Sequence, residues 1–89
     1  MSSLSITFIA CCYNEANNIS QLLTDIESTM SNTQFEWELL LVDDGSWDDT
    51  SNVAKRLCQK NKRLKYLCLT RNFGKEAAIC AGLDMVSDE

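Results

Sequence analysis

The sequence contains no histidine and no proline, and its eight lysine and arginine residues are outnumbered by thirteen aspartate and glutamate residues. Without histidine, the five cysteines cannot complete a mixed zinc site, and none of them form a Cys-x-x-Cys pair. This pattern indicates small buried hydrophobic residues in a reducing compartment, with no metal site. The net charge of -5 argues against general nucleic-acid binding, because phosphate backbones require a basic surface.

Long apolar runs are also missing. No run approaches the roughly 20 residues of a membrane-spanning helix, and the start, Met1 to Leu4, lacks the basic region of a signal peptide. We therefore expect the chain as given to be soluble and cytoplasmic. Its hydrophobic content of 45% predicts a folded domain rather than disorder. A chain of 89 residues is one small domain or part of a larger one.

Hydrophobic periodicity predicts three strands that alternate with three helices. The predicted strands cover Leu4–Cys12, Phe35–Val42 and Leu64–Leu69. Helical spacing of apolar residues occurs at Ile19, Leu22, Leu23, Ile26 and Met30, then at Val53, Ala54, Leu57 and Cys58, and finally within Gly74–Val86. We expect Asn17 or Asn18 to cap the first helix, and Ser46-Trp-Asp-Asp49 to form a capping box at the second. The βαβαβα order predicts an α/β fold with a parallel sheet and right-handed crossovers.

Polar residues follow each predicted strand. The clearest case is the apolar run Leu39–Val42, typical of a strand buried on both faces, which leads directly into Asp43 and Asp44. Because parallel strands share one carboxyl edge, we expect Tyr13-Asn-Glu15, Asp43-Asp-Gly-Ser46 and Thr70-Arg-Asn72 to lie together there. The three segments together predict a ligand cleft.

The residue types at this edge suit a nucleoside diphosphate. The carboxylates of Glu15, Asp43 and Asp44 accept hydrogen bonds but repel phosphate, so without a metal they should face base N–H groups or ribose hydroxyls. Tyr13 offers an aromatic face for stacking on a base. A carboxylate can accept from uracil or from guanine, so UDP and GDP remain equal alternatives.

The basic and glycine residues complete this hypothesis. Arg71 and Lys75 could balance a diphosphate, helped by the amino end of the third helix, and turns at Gly45 and Gly74 would allow close backbone approach. The structural alternatives are that the two aspartates cap the second helix, that Tyr13 is packed, and that Arg71 and Lys75 are solvated.

Three motifs carry a family resemblance: Cys12-Tyr-Asn-Glu15, Glu38-Leu-Leu-Leu-Val-Asp-Asp-Gly-Ser46 with Asp49-Thr50, and Arg71-Asn-Phe-Gly-Lys-Glu-Ala-Ala-Ile-Cys-Ala-Gly-Leu83. Together they resemble the amino-terminal half of glycosyltransferase family 2. The last motif is similar to the branch that includes dolichyl-phosphate mannosyltransferases and bactoprenol glucosyltransferases. The resemblance implies a GT-A, Rossmann-like fold, a UDP- or GDP-sugar donor, a polyprenyl phosphate acceptor and transfer with inversion. It also implies a Mg2+ or Mn2+ ion held by an Asp-x-Asp motif after the next strand.

The resemblance also implies roles for single residues. Residues matching Cys11, Tyr13 and Asp44 line the base and ribose pocket in related enzymes. The whole set of candidate nucleotide-binding residues is Cys11, Tyr13, Glu15, Asp43, Asp44, Gly45, Ser46, Arg71 and Lys75. Cys11 departs from the usual proline of this branch, and we expect Trp47 to pack on the surface rather than contact a ligand.

The sequence ends at Glu89, where the family would begin the strand leading to its metal-binding aspartates. We therefore expect residues 1–89 to form a single incomplete domain, the nucleotide-binding half of a parent transferase at the cytoplasmic face of a membrane. The segment alone should hold no metal and be inactive, and neither Asp84 nor Asp88 is expected to replace the missing aspartates. The first strand should then have an unpaired outer edge that could pair with a second copy.

Three other functions compete with this hypothesis. A receiver-like phosphoacceptor domain would need its acidic pair after the first strand and an aspartate after the third, whereas the third strand here leads to Thr70-Arg71. A dinucleotide-binding oxidoreductase would need G-x-G-x-x-G after the first strand, and this motif is absent. A structural fragment without ligand affinity remains the third alternative.

Overall fold

The computed structural model describes residues 5–87, and within them three strands alternate with three helices. The elements are β1 (Ser5–Cys12), α1 (Ile19–Met30), β2 (Glu36–Asp43), α2 (Thr50–Lys60), β3 (Leu64–Cys68) and α3 (Lys75–Ser87). This order confirms the predicted βαβαβα succession. Leu4, the first residue of the predicted first strand, lies outside the described residues.

The strands form one parallel sheet in the order β1-β2-β3. Cys12 pairs with Asp43, and Asp43 pairs with Cys68, so the three strands end in one row. The central strand β2 has helices on both faces, and its residues from Leu39 to Val42 are at most 2% exposed. This burial explains the uninterrupted apolar run in the sequence.

Alternate residues of β2 belong to two separate cores. Leu39 and Leu41 lie in the core that includes residues of α1 and α2, whereas Leu40 and Val42 pack with Ala78 of α3. Gly82 allows α3 to approach the sheet closely, because a Cβ at this position would lie 2.9 Å from Cγ2 of both Ile9 and Val42. Helices therefore pack on both faces of the sheet, with α1 and α2 on one face and α3 on the other.

The start of α1 differs in detail from the predicted cap. Asn18 occupies the N-cap position, but its side chain makes no capping hydrogen bond. Its Nδ2 instead donates to Oε2 of Glu15 at 2.8 Å, while its backbone N–H donates to the Glu15 carbonyl at 2.8 Å. Glu15 is thereby tied to the first turn of the helix.

The capping box predicted for α2 is wrong. Asp49 is the N-cap residue and its side chain makes no capping hydrogen bond. The Oγ of Ser46 does not cap α2. It accepts instead the backbone N–H of Asn14, which follows β1, at 2.8 Å. The backbone N–H of Thr50 donates instead to Oδ1 of Asp48 at 2.8 Å. A long-range contact has replaced the local one.

No helix in residues 5–87 is long and apolar enough to cross a bilayer.

Candidate functional site

Three loops follow the three strands: loop 1 (residues 13–18), loop 2 (44–49) and loop 3 (69–74). The sheet register brings them side by side. The backbone N–H of Asp44 donates to the Cys12 carbonyl at 2.8 Å, and the N–H of Leu69 donates to the Asp43 carbonyl at 2.9 Å. The convergence expected from the three polar segments is thus present, and further hydrogen bonds connect the loops directly.

Asn14 connects loop 1 to loop 2. Its backbone has a φ of 53°, in the left-handed region that asparagine tolerates better than most residues. In this conformation its N–H donates to Ser46 Oγ, and its Oδ1 accepts the N–H groups of Trp47 at 3.0 Å and Asp48 at 3.3 Å. The neighbouring Glu15 donates its own N–H to Thr50 Oγ1 at 2.9 Å. Tyr13 and Glu15 flank Asn14 in the sequence, so these bonds fix the positions of both residues relative to loop 2 and the start of α2.

Asp44 connects loop 2 to loop 3. The residue is only 3% exposed, and its carboxylate accepts the N–H of Phe73 at 2.9 Å on Oδ1 and the N–H of Gly74 at 3.1 Å on Oδ2. Each oxygen has a second lone pair, so the carboxylate can still accept from a ligand. The negative charge also lies beside the start of α3, where helix N–H groups favour it.

Gly45 permits a close contact between loops 2 and 3. Its φ is +77°, and a Cβ there would lie 2.3 Å from the backbone C of Arg71 and 2.5 Å from the backbone N of Asn72. Only glycine fits without displacing backbone atoms. The close backbone approach expected at Gly45 is therefore made to loop 3 of the protein itself. Gly74 also has a positive φ, of +99°, but open space around it.

Asp43 lies beneath the loops and is completely buried. Its Oδ1 accepts the N–H of Ser46 at 2.8 Å, and its Oδ2 accepts the hydroxyl of Tyr66 on β3. The pKa of Tyr66 is raised well above its usual range, because the ring is desolvated and its hydroxyl donates to this carboxylate. Asp43 is therefore positioned to hold the turn of loop 2, whereas Asp44 lies at the junction with loop 3.

The aromatic and basic candidates are exposed around these buried carboxylates. Tyr13 is 39% exposed, and the Arg71 guanidinium lies 4.9 Å from the ring centroid of Phe73, a cation–π contact. Lys75 is exposed at the first turn of α3. Trp47 is 79% exposed on loop 2. The rim thus combines an aromatic face and two cations, the groups expected around a base and a diphosphate.

Cys11 lies on the α3 side of the sheet, close to this rim. Burial raises the pKa of its thiol, and the nearby Asp44 carboxylate raises it further, while Lys75 opposes the shift. Cys11 and Glu15 also line a cavity of about 100 Å³ that extends to Ile19 and Leu22 of α1. A larger cavity of about 340 Å³ lies around Met30 and Trp37, at the opposite end of the strands, and contains none of the candidate residues.

The described residues do not fit a divalent metal. Within residues 5–87, no group of three or more histidine, cysteine, aspartate or glutamate side chains is arranged to hold one. Asp84 is exposed on α3, and Asp88 lies outside the described residues. We therefore assign no metal-dependent step to this chain.

Four residues that organise the site were not singled out from the sequence. They are Asn14, Thr50, Tyr66 and Phe73. Asn14 and Thr50 lie within the quoted motifs, but their roles are contacts to partners 32 to 35 positions away. Phe73 contributes its backbone N–H, which no side-chain pattern reveals. The role of Tyr66 depends on the register of β3 against β2, and the sequence pattern of a single strand does not reveal that register.

Comparisons with known proteins agree with this architecture. The family model described as Glycosyl transferase family 2 matches residues 7–89. CsbB of Bacillus subtilis is 38% identical over 84 residues, covering 94% of this chain and 26% of its own length. The dodecaprenyl-phosphate galacturonate synthase of Rhizobium johnstonii is 35% identical over 85 residues, covering 94% of this chain and 25% of its own length. The chain spans about a quarter of the length of these relatives.

A solved structure shares the fold. It is the mannosyltransferase PcManGT from Pyrobaculum calidifontis, in complex with GDP-Man and Mn2+, and it superposes with a TM-score of 0.77 at 24% identity. The match covers 96% of this chain and 25% of that chain. The parallel three-stranded sheet with its helices therefore matches part of a GT-A fold.

Proposed function

Because the chain belongs to glycosyl transferase family 2, we propose that it is the nucleotide-binding part of an enzyme that transfers a sugar from a UDP- or GDP-sugar to a polyprenyl phosphate. The observation that carries this proposal is the direct hydrogen bonding of loops 1, 2 and 3 around Asp44. The dodecaprenyl-phosphate synthase among the relatives supports a lipid phosphate acceptor. A lipid acceptor and five free cysteines together favour the cytoplasmic face of a membrane for the parent.

The nucleoside would contact loops 1 and 2. The exposed face of Tyr13 stacks on the base, while the free lone pairs of Asp44 accept a base N–H or a ribose hydroxyl. Asp44 contributes more than a neutral acceptor would, since hydrogen bonds to a charged group are worth about 1.5 to 3 kcal/mol. Uracil and guanine both offer such N–H donors, so either nucleotide fits this description.

The diphosphate would lie over loop 3 and the start of α3. Arg71 and Lys75 supply positive charge there, and the first turn of α3 supplies N–H groups. The contact between Arg71 and the Phe73 ring limits the directions that the guanidinium can take. Asp43 is buried beneath the loops, and the charge of Asp44 at the junction with loop 3 is already stabilised by the N–H groups of Phe73 and Gly74.

We further infer that the parent transfers the sugar with inversion and holds Mg2+ or Mn2+ with residues other than those described. Residues 5–87 contain no metal-binding group of side chains. We also propose that this chain binds the donor without turning it over, as the incomplete nucleotide-binding half of a GT-A domain.

Titration of the isotope-labelled protein with UDP and GDP tests the nucleotide site. We expect amide shifts at Tyr13, Asp44 and Arg71, and Asp44→Asn should weaken binding about tenfold or more, from the loss of one charged hydrogen bond. Asp49→Asn is the matched control, because it makes the same change on an exposed residue of loop 2. An absence of shifts would favour a structural fragment without ligand affinity, and equal losses in the two variants would contradict the role of Asp44.

We also propose that β1 pairs with a second copy of the chain through its outer edge. Within residues 5–87, β1 pairs only with β2, and it contains no charged residue or proline to protect the other edge. Six of its eight residues are half-buried rather than buried, although most are apolar. Light scattering should show mass increasing with concentration, and a strictly monomeric protein at high concentration would contradict this pairing.

A further inference from the structure

The Tyr66 side chain of β3 reaches into the hydrogen bonding beneath the loops. It pairs in register with Leu41 of β2, and Asp43 lies two residues further along on the same face. Diagonal neighbours on one face of a sheet are within reach of a long aromatic side chain. The phenol ring therefore packs against the core shared with α1 and α2 while its hydroxyl reaches the Asp43 carboxylate.

A chain of hydrogen bonds continues from this hydroxyl to the rim. Tyr66 donates to Oδ2 of Asp43, and Oδ1 of Asp43 accepts the N–H of Ser46 at 2.8 Å. The Oγ of Ser46 then accepts the N–H of Asn14 at 2.8 Å. Asn14 lies directly after Tyr13, and Ser46 lies two residues after Asp44. One half-buried phenol is thus linked to both segments that would contact the nucleoside.

The burial of Asp43 makes this link necessary. A fully buried carboxylate is strongly disfavoured unless its oxygens accept hydrogen bonds, and the described partners of Asp43 are the Ser46 N–H and the Tyr66 hydroxyl. Without the phenol, Oδ2 would lack its donor, and the carboxylate would gain by turning toward water or recruiting it. Turning of the carboxylate would move Oδ1 away from the Ser46 N–H and loosen the turn of loop 2.

Resting on the function proposed above, we propose that Tyr66 is a positioning residue for the nucleotide site, which fixes loops 1 and 2 through Asp43 and Ser46 without contacting the nucleotide. The substitution Tyr66→Phe removes only the hydroxyl and keeps the ring in the core. We expect it to weaken UDP or GDP binding about tenfold and to accelerate hydrogen exchange at the Ser46 and Asn14 amides.

The control separates positioning from a general loss of stability. Leu64→Val shortens a buried side chain at the opposite end of β3, so it destabilises the same strand away from the loops. It should leave nucleotide affinity and the two amides unchanged under conditions where both variants are fully folded. Asp43→Asn should lower nucleotide affinity as well. Adding Tyr66→Phe to Asp43→Asn should lower affinity further by less than tenfold, because both substitutions disrupt the same Tyr66–Asp43 hydrogen bond.

The outcomes distinguish two failures. If the unsubstituted chain binds neither UDP nor GDP, the proposed function fails and the inference fails with it. If the unsubstituted chain binds but Tyr66→Phe matches Leu64→Val in affinity and amide exchange, the nucleotide site stands and the positioning role of Tyr66 is overturned. A tenfold loss confined to Tyr66→Phe and Asp43→Asn supports the inference.

Discussion

Replacing Gly45 with alanine should be among the most damaging single changes in the loops. The residue has a φ of +77°, and an L-residue in the left-handed region costs about 1 to 2 kcal/mol. The added Cβ would lie 2.3 Å from the backbone C of Arg71, about 1 Å inside the optimal distance of roughly 3.5 Å between carbon atoms. Because the opposing atoms are backbone, no side-chain rotation relieves the contact.

Loops 2 and 3 must therefore separate, which strains the bonds from the N–H groups of Phe73 and Gly74 to Asp44. Loss of one such charged hydrogen bond costs about 1.5 to 3 kcal/mol. Together with the conformational cost, Gly45→Ala should lower the free energy of unfolding by about 2.5 to 5 kcal/mol. This is a large fraction of the roughly 4 to 13 kcal/mol expected for a domain of this size.

Gly74→Ala is the matched control. Gly74 also has a positive φ, of +99°, but a Cβ there meets nothing within 4 Å. This variant should lose only the conformational term of about 1 to 2 kcal/mol. Urea unfolding followed by circular dichroism measures both. Equal losses in the two variants would refute the argument that loop contact, rather than backbone conformation, decides the cost at Gly45.

Two further predictions concern stability. Burial, followed by the Asp43 charge, raises the pKa of Cys12 to about 12, so between about pH 9 and 12 the unfolded chain binds fewer protons and the free energy of unfolding falls as pH rises. The urea midpoint should fall less steeply with pH for Cys12→Ala than for the unsubstituted chain. Cys68→Ala, which changes an exposed thiol, should leave the slope unchanged. If the Cys12→Ala midpoints fall as steeply with pH as those of the unsubstituted chain, the raised pKa of Cys12 is contradicted. The second prediction concerns Gly82→Ala, which should gain about 1 kcal/mol of helix propensity. Crowding against the stiff Ile9 and Val42 side chains should cost about 1 to 3 kcal/mol. The free energy of unfolding should therefore fall by up to about 2 kcal/mol. A rise in its urea midpoint would show that α3 moves away from the sheet easily.

The elements were predictable because their hydrophobic patterns are strong. The apolar run ending at Val42 indicated a strand buried on both faces, and the structure places β2 at the centre of the sheet. Boundaries differed by about one residue: β2 includes Asp43, and β3 ends at Cys68 rather than Leu69. Strand-terminal residues take part in the ladder according to their neighbours, and single-strand periodicity does not contain that information.

The meeting of the loops was also predictable, because the carboxyl ends of parallel strands share an edge. The particular bonds were not. Ser46 had the spacing of a capping residue, but its Oγ instead accepts the backbone N–H of Asn14 from loop 1. The two aspartates look alike in sequence, yet the pleat turns Asp43 toward Tyr66 while Asp44 meets the backbone of loop 3. Such differences depend on partners 23 to 32 positions away.

The bonding of Asn14, Asp44 and Gly45 across the loops affects how any ligand would bind. Ordering one backbone residue costs about 1 to 2 kcal/mol of conformational entropy, and a flexible rim would incur that cost at each encounter. Here the protein's own hydrogen bonds connect the rim before a ligand arrives. Association should therefore resemble docking onto a rigid surface, and differences in affinity between ligands should appear mainly in their dissociation rates.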